Sequence, residues 1–158
     1  MGETWIWMLA KYVLMVTGAE AKEACGAEQL CRGLETGIEG GIHAVRLLWK
    51  NHSQEEDWGF LLIDTRNPFN EKNRTSMLWE VRHEWPSGAQ FGFNCYCHWA
   101  TLVIRAGYVT GNFLYSKKGV TQGNPLDVVA YGLEIIPIIQ ELRKAHPGMR
   151  MTLGRAEP

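Results

Sequence analysis

The feature that most constrains the fold is a continuous apolar run, Trp58-Gly-Phe-Leu-Leu-Ile63, which ends abruptly at Asp64. A short run with apolar residues on both faces is typical of a strand in the interior of a sheet. The polar and acidic stretch 51–57 before it predicts a surface turn. We therefore expect a central β-strand over 58–64 that presents a carboxylate at its C-terminal end.

Helical periodicity, with an apolar residue at every third or fourth position, recurs along the chain. It predicts helices over 1–18, 27–49, 70–85, 89–99 and 126–146. Asn70 is expected to cap the third of these helices, and Pro86 to end it. The inward-facing stripe of that helix is predicted to be Met77, Leu78, Val81 and Trp85. Pro137 is expected to kink the last helix, because a mid-helix proline removes a backbone donor.

Two further stretches, 101–105 and 112–116, predict the strands of a hairpin. With the helices and the central strand they predict an α+β fold, in which helices pack on a small, mainly antiparallel sheet. A chain of 158 residues can bury one core. We expect an amphipathic helix over 1–18, one domain over 19–148 and a tail over 149–158.

Charge and cysteine content narrow the function. The net charge is −1, so composition shows no basic surplus of the kind that binds phosphates. The cysteines fall at positions 25, 31, 95 and 97, and these spacings match no common zinc pattern, although His98 follows the last pair. Free thiols in a reducing compartment are the favoured interpretation.

The N-terminal apolar stretch raises the question of targeting. Glu3 in the leading segment and Lys11 within the apolar run argue against a signal peptide. The run is also shorter than the 20 or so apolar residues that a spanning helix needs. The sequence therefore predicts an intracellular protein, nuclear or cytoplasmic, that does not enter a membrane.

A first motif, Asp64-Thr-Arg-Asn-Pro-Phe-Asn70, follows the predicted strand. A carboxylate between a buried strand and a helix is a common way to present a metal ligand, and polymerases use such carboxylates to hold a pair of divalent ions. From the pattern alone, Asp64 fits equally well as a residue that caps the following turn.

A second motif, Gly119-Val-Thr-Gln-Gly-Asn-Pro-Leu126, leads directly into the last helix. Its glycines allow a backbone to approach a flat partner closely, and Gln122 can bond to a base or a sugar. Alternatively, it is an ordinary loop between a hairpin and a helix.

Taken together, in this order and about fifty residues apart, the two motifs resemble those of non-LTR retrotransposon reverse transcriptases. In that family a hydrophobic strand ends in Asp and is followed by x-x-x-Ala-Phe-Asn/Asp, and later by Gly-Val-x-Gln-Gly-Asp-Pro-Leu. The stretches 28–30 and 38–45 also look like the finger segment that precedes the first motif. The resemblance covers residues 20–148 and implies the fingers and palm of an RNA-directed DNA polymerase.

The resemblance also implies roles for individual residues. Asp64 would be the first catalytic, metal-binding carboxylate, with Mg²⁺ as the cofactor of the intact family. Phe69 would be the steric gate beneath the incoming sugar. Gln122 and Gly123 would line the nucleotide pocket and contact the template, and Arg66 could face a triphosphate. The implied partners are an RNA template and a DNA primer.

The sequence departs from the family pattern at three points. Pro68 replaces the usual alanine and disfavours helical backbone at Asn67. Asn124 replaces the usual Asp. The paired aspartates of a Tyr/Phe-Ala-Asp-Asp hairpin are missing from these 158 residues, since no Asp follows Asp127. Asp127 itself is interpreted as an N-terminal helix charge.

These departures predict a truncated, inactive fragment of a reverse transcriptase, in which Asp64 alone would hold Mg²⁺ weakly through water ligands. Without the neighbouring palm strands, an exposed sheet edge would favour self-association. One alternative is a non-catalytic module that binds RNA or a protein through its aromatic surface. Another is an unrelated hydrolase or metal protein that uses Asp64, His98 and the cysteines.

Overall fold

The computed structural model describes residues 2–26, 29–33, 35–121 and 123–148. The fold is α+β, as predicted. Its elements in chain order are α1 (Gly2–Cys25), α2 (Leu30–Gly33), α3 (Gly37–His52), α4 (Pro68–Glu71), α5 (Arg74–Glu84), α6 (Pro86–Tyr96), β1 (Ala100–Ala106), β2 (Val109–Ser116) and α7 (Pro125–Ala145). The expected tail, 149–158, lies outside the described residues. None of the described helices combines the length and the apolar character that crossing a membrane requires.

The core lies where α1, α5, α6 and α7 pack together. Met77 and Val81 of α5 are buried there together with Trp85, which directly follows α5, and Leu78 packs against them, which confirms the predicted stripe. α7 supplies Leu126, Val129 and Leu133 to the same cluster. Truncating a buried tryptophan to alanine costs about 3–5 kcal/mol, so this cluster is a principal source of stability.

The predicted hairpin is present. β1 and β2 pair antiparallel, from Ala100 opposite Ser116 to Ala106 opposite Val109, with an irregularity between Val103 and Arg105. These strands form the sheet of the described chain. Their apolar side chains stay half-exposed, because the strands do not pack on the helices as closely as the helices pack on one another.

The predicted central strand over 58–64 is wrong. Residues 58–65, here called the extended segment, make no ladder with another strand of the described chain. Leu61, Leu62 and Ile63 are exposed, Leu62 by 93%. A strand exists only where a neighbouring strand supplies hydrogen-bond partners, and both strands of the hairpin pair with each other instead. Because no strand forms over 58–64, this stretch offers no sheet edge of the kind through which self-association was predicted.

Several helix boundaries differ from the prediction. The N-terminal helix continues to Cys25, and the helix predicted over 27–49 is divided into α2 and α3. The helix expected to begin at Asn70 is also divided. α4 ends at Glu71, and Asn73 caps α5 by accepting hydrogen bonds from the amides of Thr75 and Ser76. Pro86 ends α5 and begins α6, as proline is favoured at the first helical position.

Candidate functional site

The two motifs come together in space. The Val120 N–H donates to the Phe69 carbonyl oxygen at 2.8 Å, and the Gly119 N–H donates to the Lys72 carbonyl oxygen at 2.9 Å. The first bond joins the second motif to Phe69 of α4, and the second joins it to Lys72, which directly follows α4. We call residues 69–74 and 116–121 the motif junction. It joins stretches that sequence reasoning linked only through a family pattern.

Glycine is required at position 119. Its φ is +75°, in the left-handed region, and a Cβ there would lie 2.6 Å from the carbonyl oxygens of both Phe69 and Asn70. Such a distance is well inside van der Waals contact, so a side chain would separate the two backbones. The backbone approaches the first motif closely at this glycine, and the close approach to a flat partner stays a prediction.

Arg74 adds side-chain hydrogen bonds to the motif junction. Its Nε donates to the Gly119 carbonyl at 2.6 Å, and Nη1 donates at 3.0 Å to the carbonyls of both His98 and Ser116. Nη2 donates at 3.1 Å to the Ser116 hydroxyl and to the Lys118 carbonyl. A guanidinium offers five donors in a fixed plane, and all five find acceptors here. Sequence reasoning missed Arg74; the available signal is a cation in the first turn of a helix, where the dipole disfavours it.

A buried pair of side chains, a carboxyl and a phenol, lies against the second motif. The Tyr96 hydroxyl donates to Asp127 Oδ1 at 2.6 Å, and Asp127 is 1% exposed. The same hydroxyl accepts from the Thr121 amide at 3.3 Å and from Asn124 Nδ2 at 3.5 Å. Asp127 lies in the first turn of α7, where a helix charge was predicted, but it is buried rather than solvated.

Burial sets the protonation of this pair. It raises the pKa of Asp127 from 3.8 to about 7, and the Tyr96 hydrogen bond opposes the rise. Burial, together with the Asp127 charge and hydrogen bond, raises the pKa of Tyr96 well above its ordinary value. Asn124 suits this place, since its Oδ1 caps α7 by accepting from Leu126 N while its amide faces the phenol. An aspartate there would add a second buried carboxylate.

A buried ion pair lies under the first motif. Lys72 Nζ is 2.6 Å from Glu134 Oε2, and the ammonium sits 4.0 Å from the centre of the Tyr131 ring. Phe69 packs on that ring at 5.4 Å, and the Thr65 and Tyr131 hydroxyls are 3.2 Å apart. Burial lowers the pKa of Lys72, whereas the adjacent Glu134 carboxylate favours the charged amine. Tyr131 thus connects the first motif to α7.

The residues predicted for the site differ in how far they are exposed. Asp64 and Arg66 are exposed on the loop before α4, and Phe69 is half-buried. Asn67 adopts φ 47° and ψ 49°, so the non-helical backbone expected before Pro68 is present. Gly123 is exposed at φ +95°. Gln122 lies outside the described residues.

The metal-binding alternatives receive no support from the described residues. No group of three or more His, Cys, Asp or Glu side chains among them is arranged to hold an ion. Cys25, Cys95 and Cys97 are free thiols, and burial raises the pKa of Cys25 to about 11, which disfavours the thiolate that metals bind.

Comparison of the chain with protein-family models, with curated proteins and with solved structures finds no match.

Proposed function

We propose that this chain is a fingers and palm fragment of a non-LTR retrotransposon reverse transcriptase, and that these 158 residues do not catalyse nucleotide transfer by themselves. The observation that supports the proposal is the motif junction. Two motifs that the family places around one nucleotide are hydrogen-bonded here through Val120 and Phe69, and Gly119 bonds to Lys72, two residues after the first motif.

Under this proposal, the first motif supplies the metal-binding and gating side chains. Asp64 is the first metal ligand, and Phe69 is the gate that rejects a 2′-hydroxyl. Phe69 suits this role because its ring is braced by Tyr131 at 5.4 Å. Arg66, exposed on the same loop, would meet the triphosphate. Gln122 and Gly123 of the second motif would contact the nucleotide and the template.

The donors present do not fit a two-metal centre. Within the first motif Asp64 is the only acidic side chain. Asp127 does not add a second ligand, because it is buried and its Oδ1 already accepts from Tyr96. Two divalent ions at a polymerase centre need several carboxylates around them. Catalysis would therefore require acidic residues from outside these 158 residues.

Primer extension tests the loss of activity. The purified chain is incubated with an RNA template, a DNA primer, deoxynucleotides and either Mg²⁺ or Mn²⁺, and we expect no templated product. Templated synthesis that Asp64→Ala abolishes would contradict the proposal, whereas synthesis that survives Asp64→Ala would indicate a contaminating polymerase.

The nucleotide sequence beyond codon 158 tests the family assignment separately. The proposal expects a Tyr/Phe-Ala-Asp-Asp segment just downstream, in frame or displaced by a frameshift. Absence of such a segment from all three forward frames would argue against descent from this family, whatever the outcome of primer extension.

A further inference from the structure

Four rings cluster at the surface where α3 ends and the extended segment begins. The His52 ring stacks on Trp58 with 3.9 Å between centroids and 5° between planes. Phe60 lies 5.8 Å from Trp49 and 6.4 Å from Trp58, with both pairs tilted. The side chains of Trp49, Trp58 and Phe60 are each more than a third exposed. The cluster is therefore a surface feature and not part of the core.

The local sequence dictates this arrangement. Trp49 and His52 are three residues apart on α3, so they share a helix face. The chain then reverses through a turn in which the Glu55 N–H donates to the His52 carbonyl at 3.0 Å and the Trp58 N–H donates to the Glu55 carbonyl at 3.3 Å. The reversal brings Trp58 and Phe60 back against the two helical rings.

A cavity of about 40 Å³ opens at the surface here, lined by Trp49, His52, Ser53, Trp58 and Phe60. A single water needs roughly 10–15 Å³. The cavity therefore admits a group of a few heavy atoms and is too small to enclose a nucleobase. We call these five residues the aromatic cage.

The net negative charge around the cage favours a positively charged ligand. Glu55, Glu56 and Asp57 are consecutive and exposed, and Lys50 is the one Lys or Arg of the stretch 49–60. Three acids against one lysine leave a net charge of −2 on this stretch when His52 is neutral. The carboxylate of Glu55 lies against the cage wall, 2.9 Å from His52 Nδ1. Such a surface repels phosphate and attracts cations.

We propose that the aromatic cage binds an alkylated ammonium ion, of the trimethylammonium type, through cation–π contacts with Trp49, Trp58 and Phe60. Aromatic faces attract such cations because the ring quadrupole is negative above its plane, and tryptophan is the strongest of the rings. Methyl groups on nitrogen also bury apolar surface against the rings. The proposal is independent of the proposed function, since the cage shares no residue with either motif.

The test uses tetramethylammonium chloride as the probe and the indole N–H signals of the full chain as the readout. Titration is expected to shift the Trp49 and Trp58 signals saturably, with a dissociation constant in the millimolar range. tert-Butanol, which has a similar shape and no charge, is expected to bind about tenfold more weakly or not at all. Equal shifts by the two compounds, or no shift by tetramethylammonium, would overturn the proposal.

Matched variants locate the site. Trp58→Leu is expected to weaken binding by about tenfold. Its control is Trp79→Leu, because Trp79 is also an exposed tryptophan paired with a histidine, His83 at 4.3 Å, but it has no third ring in the pair. Unchanged affinity in Trp58→Leu, or an equal loss in both variants, would place the probe elsewhere.

A charge variant keeps the test decisive if Trp58→Leu does not fold. Glu55→Gln is expected to weaken tetramethylammonium binding about threefold while leaving tert-butanol unaffected. Glu141→Gln is its control, since Glu141 belongs to an exposed pair of the same spacing, with Lys144 on α7. Affinity that is unchanged in Glu55→Gln would remove the electrostatic basis of the proposal.

Two sources of the same chemistry can then be compared. Choline represents a small free ligand, and a short peptide that contains trimethyllysine represents a modified protein. The source that binds more tightly identifies the physiological class. Binding of tetramethylammonium with neither choline nor the peptide would overturn the assignment to trimethylammonium groups.

Discussion

The motif junction and the extended segment differ sharply in how far their backbone groups find hydrogen-bond partners. At the junction the chain has defined hydrogen-bond partners: Val120 bonds to Phe69, Gly119 bonds to Lys72, and Arg74 bonds to Gly119. The extended segment carries Leu61 and Leu62 into solvent. The comparison shows that hydrophobicity alone does not place a segment inside. Backbone groups must also find partners, since an unpaired buried amide or carbonyl costs about 1–3 kcal/mol.

Removing the central donor of the junction should have the largest effect. Arg74→Ala deletes five hydrogen bonds to the loop 116–119 and to His98, of which the bonds to Gly119 and Ser116 are partly buried. We expect a loss of about 3 kcal/mol in the free energy of unfolding, measured with urea. The matched variant Arg66→Ala, on the exposed loop, should change it by less than about 0.5 kcal/mol. Similar losses in the two variants would erase the contrast between the regions.

A glycine substitution tests the difference in stability between the motif junction and the extended segment at the level of the backbone. Gly119→Ala puts a Cβ at positive φ and 2.6 Å from two carbonyl oxygens, so we expect a loss of about 2 kcal/mol. Gly59→Ala is the control, because a Cβ on Gly59 meets nothing within 4 Å. Thermal unfolding of both variants measures the difference. A Gly119→Ala protein as stable as Gly59→Ala would mean that the junction is not closely packed.

The buried carboxyl predicts a pH dependence with a definite sign. The pKa of Asp127 rises from 3.8 to about 7 on folding, so the native state binds more protons than the unfolded state between these values. The Asp127 contribution is therefore full below pH 4 and is lost as pH rises to about 7, by at most about 1.4 kcal/mol per pH unit.

Asp127→Asn isolates this effect, because the amide can still accept from Tyr96. Urea unfolding at several pH values between 4 and 7 should show that the free energy of unfolding of the wild type falls, relative to that of the variant, as the pH rises. Parallel pH profiles for the two proteins would mean that Asp127 ionises as easily in the native state as in the unfolded state.

The smallest effect on stability is expected in the extended segment. Leu62 is 93% exposed, so Leu62→Lys should change the free energy of unfolding by less than about 0.5 kcal/mol. It should also reduce self-association, measured by light scattering against concentration, because it interrupts an exposed apolar run. Leu133→Lys is the contrasting variant and should unfold the chain, since Leu133 is fully buried. A large loss of stability in Leu62→Lys would show that the segment is covered in solution.

Local patterns predicted the elements whose stabilising contacts are near in sequence. The stripe Met77, Val81 and Trp85 follows from a helical period, and the pairing of β1 with β2 follows from a short connection. The site was predictable only in part. The motifs drew attention to Gly119 and Phe69. Arg74 and Tyr96 lie outside both motifs, and their partners lie 24 to 45 residues away along the chain.

The amino-acid sequence by itself determined the α+β class, the hairpin, the long α7 and the two short motifs, because each depends on neighbours within a few residues. Tertiary structure decided the rest. It left 58–64 without a strand partner, buried Asp127 beneath Tyr96, and joined the motifs through Gly119 and Arg74. The physical reason is that hydrogen-bond partners and desolvation are properties of the assembled chain, and the same apolar run is a strand or an exposed loop according to what lies beside it.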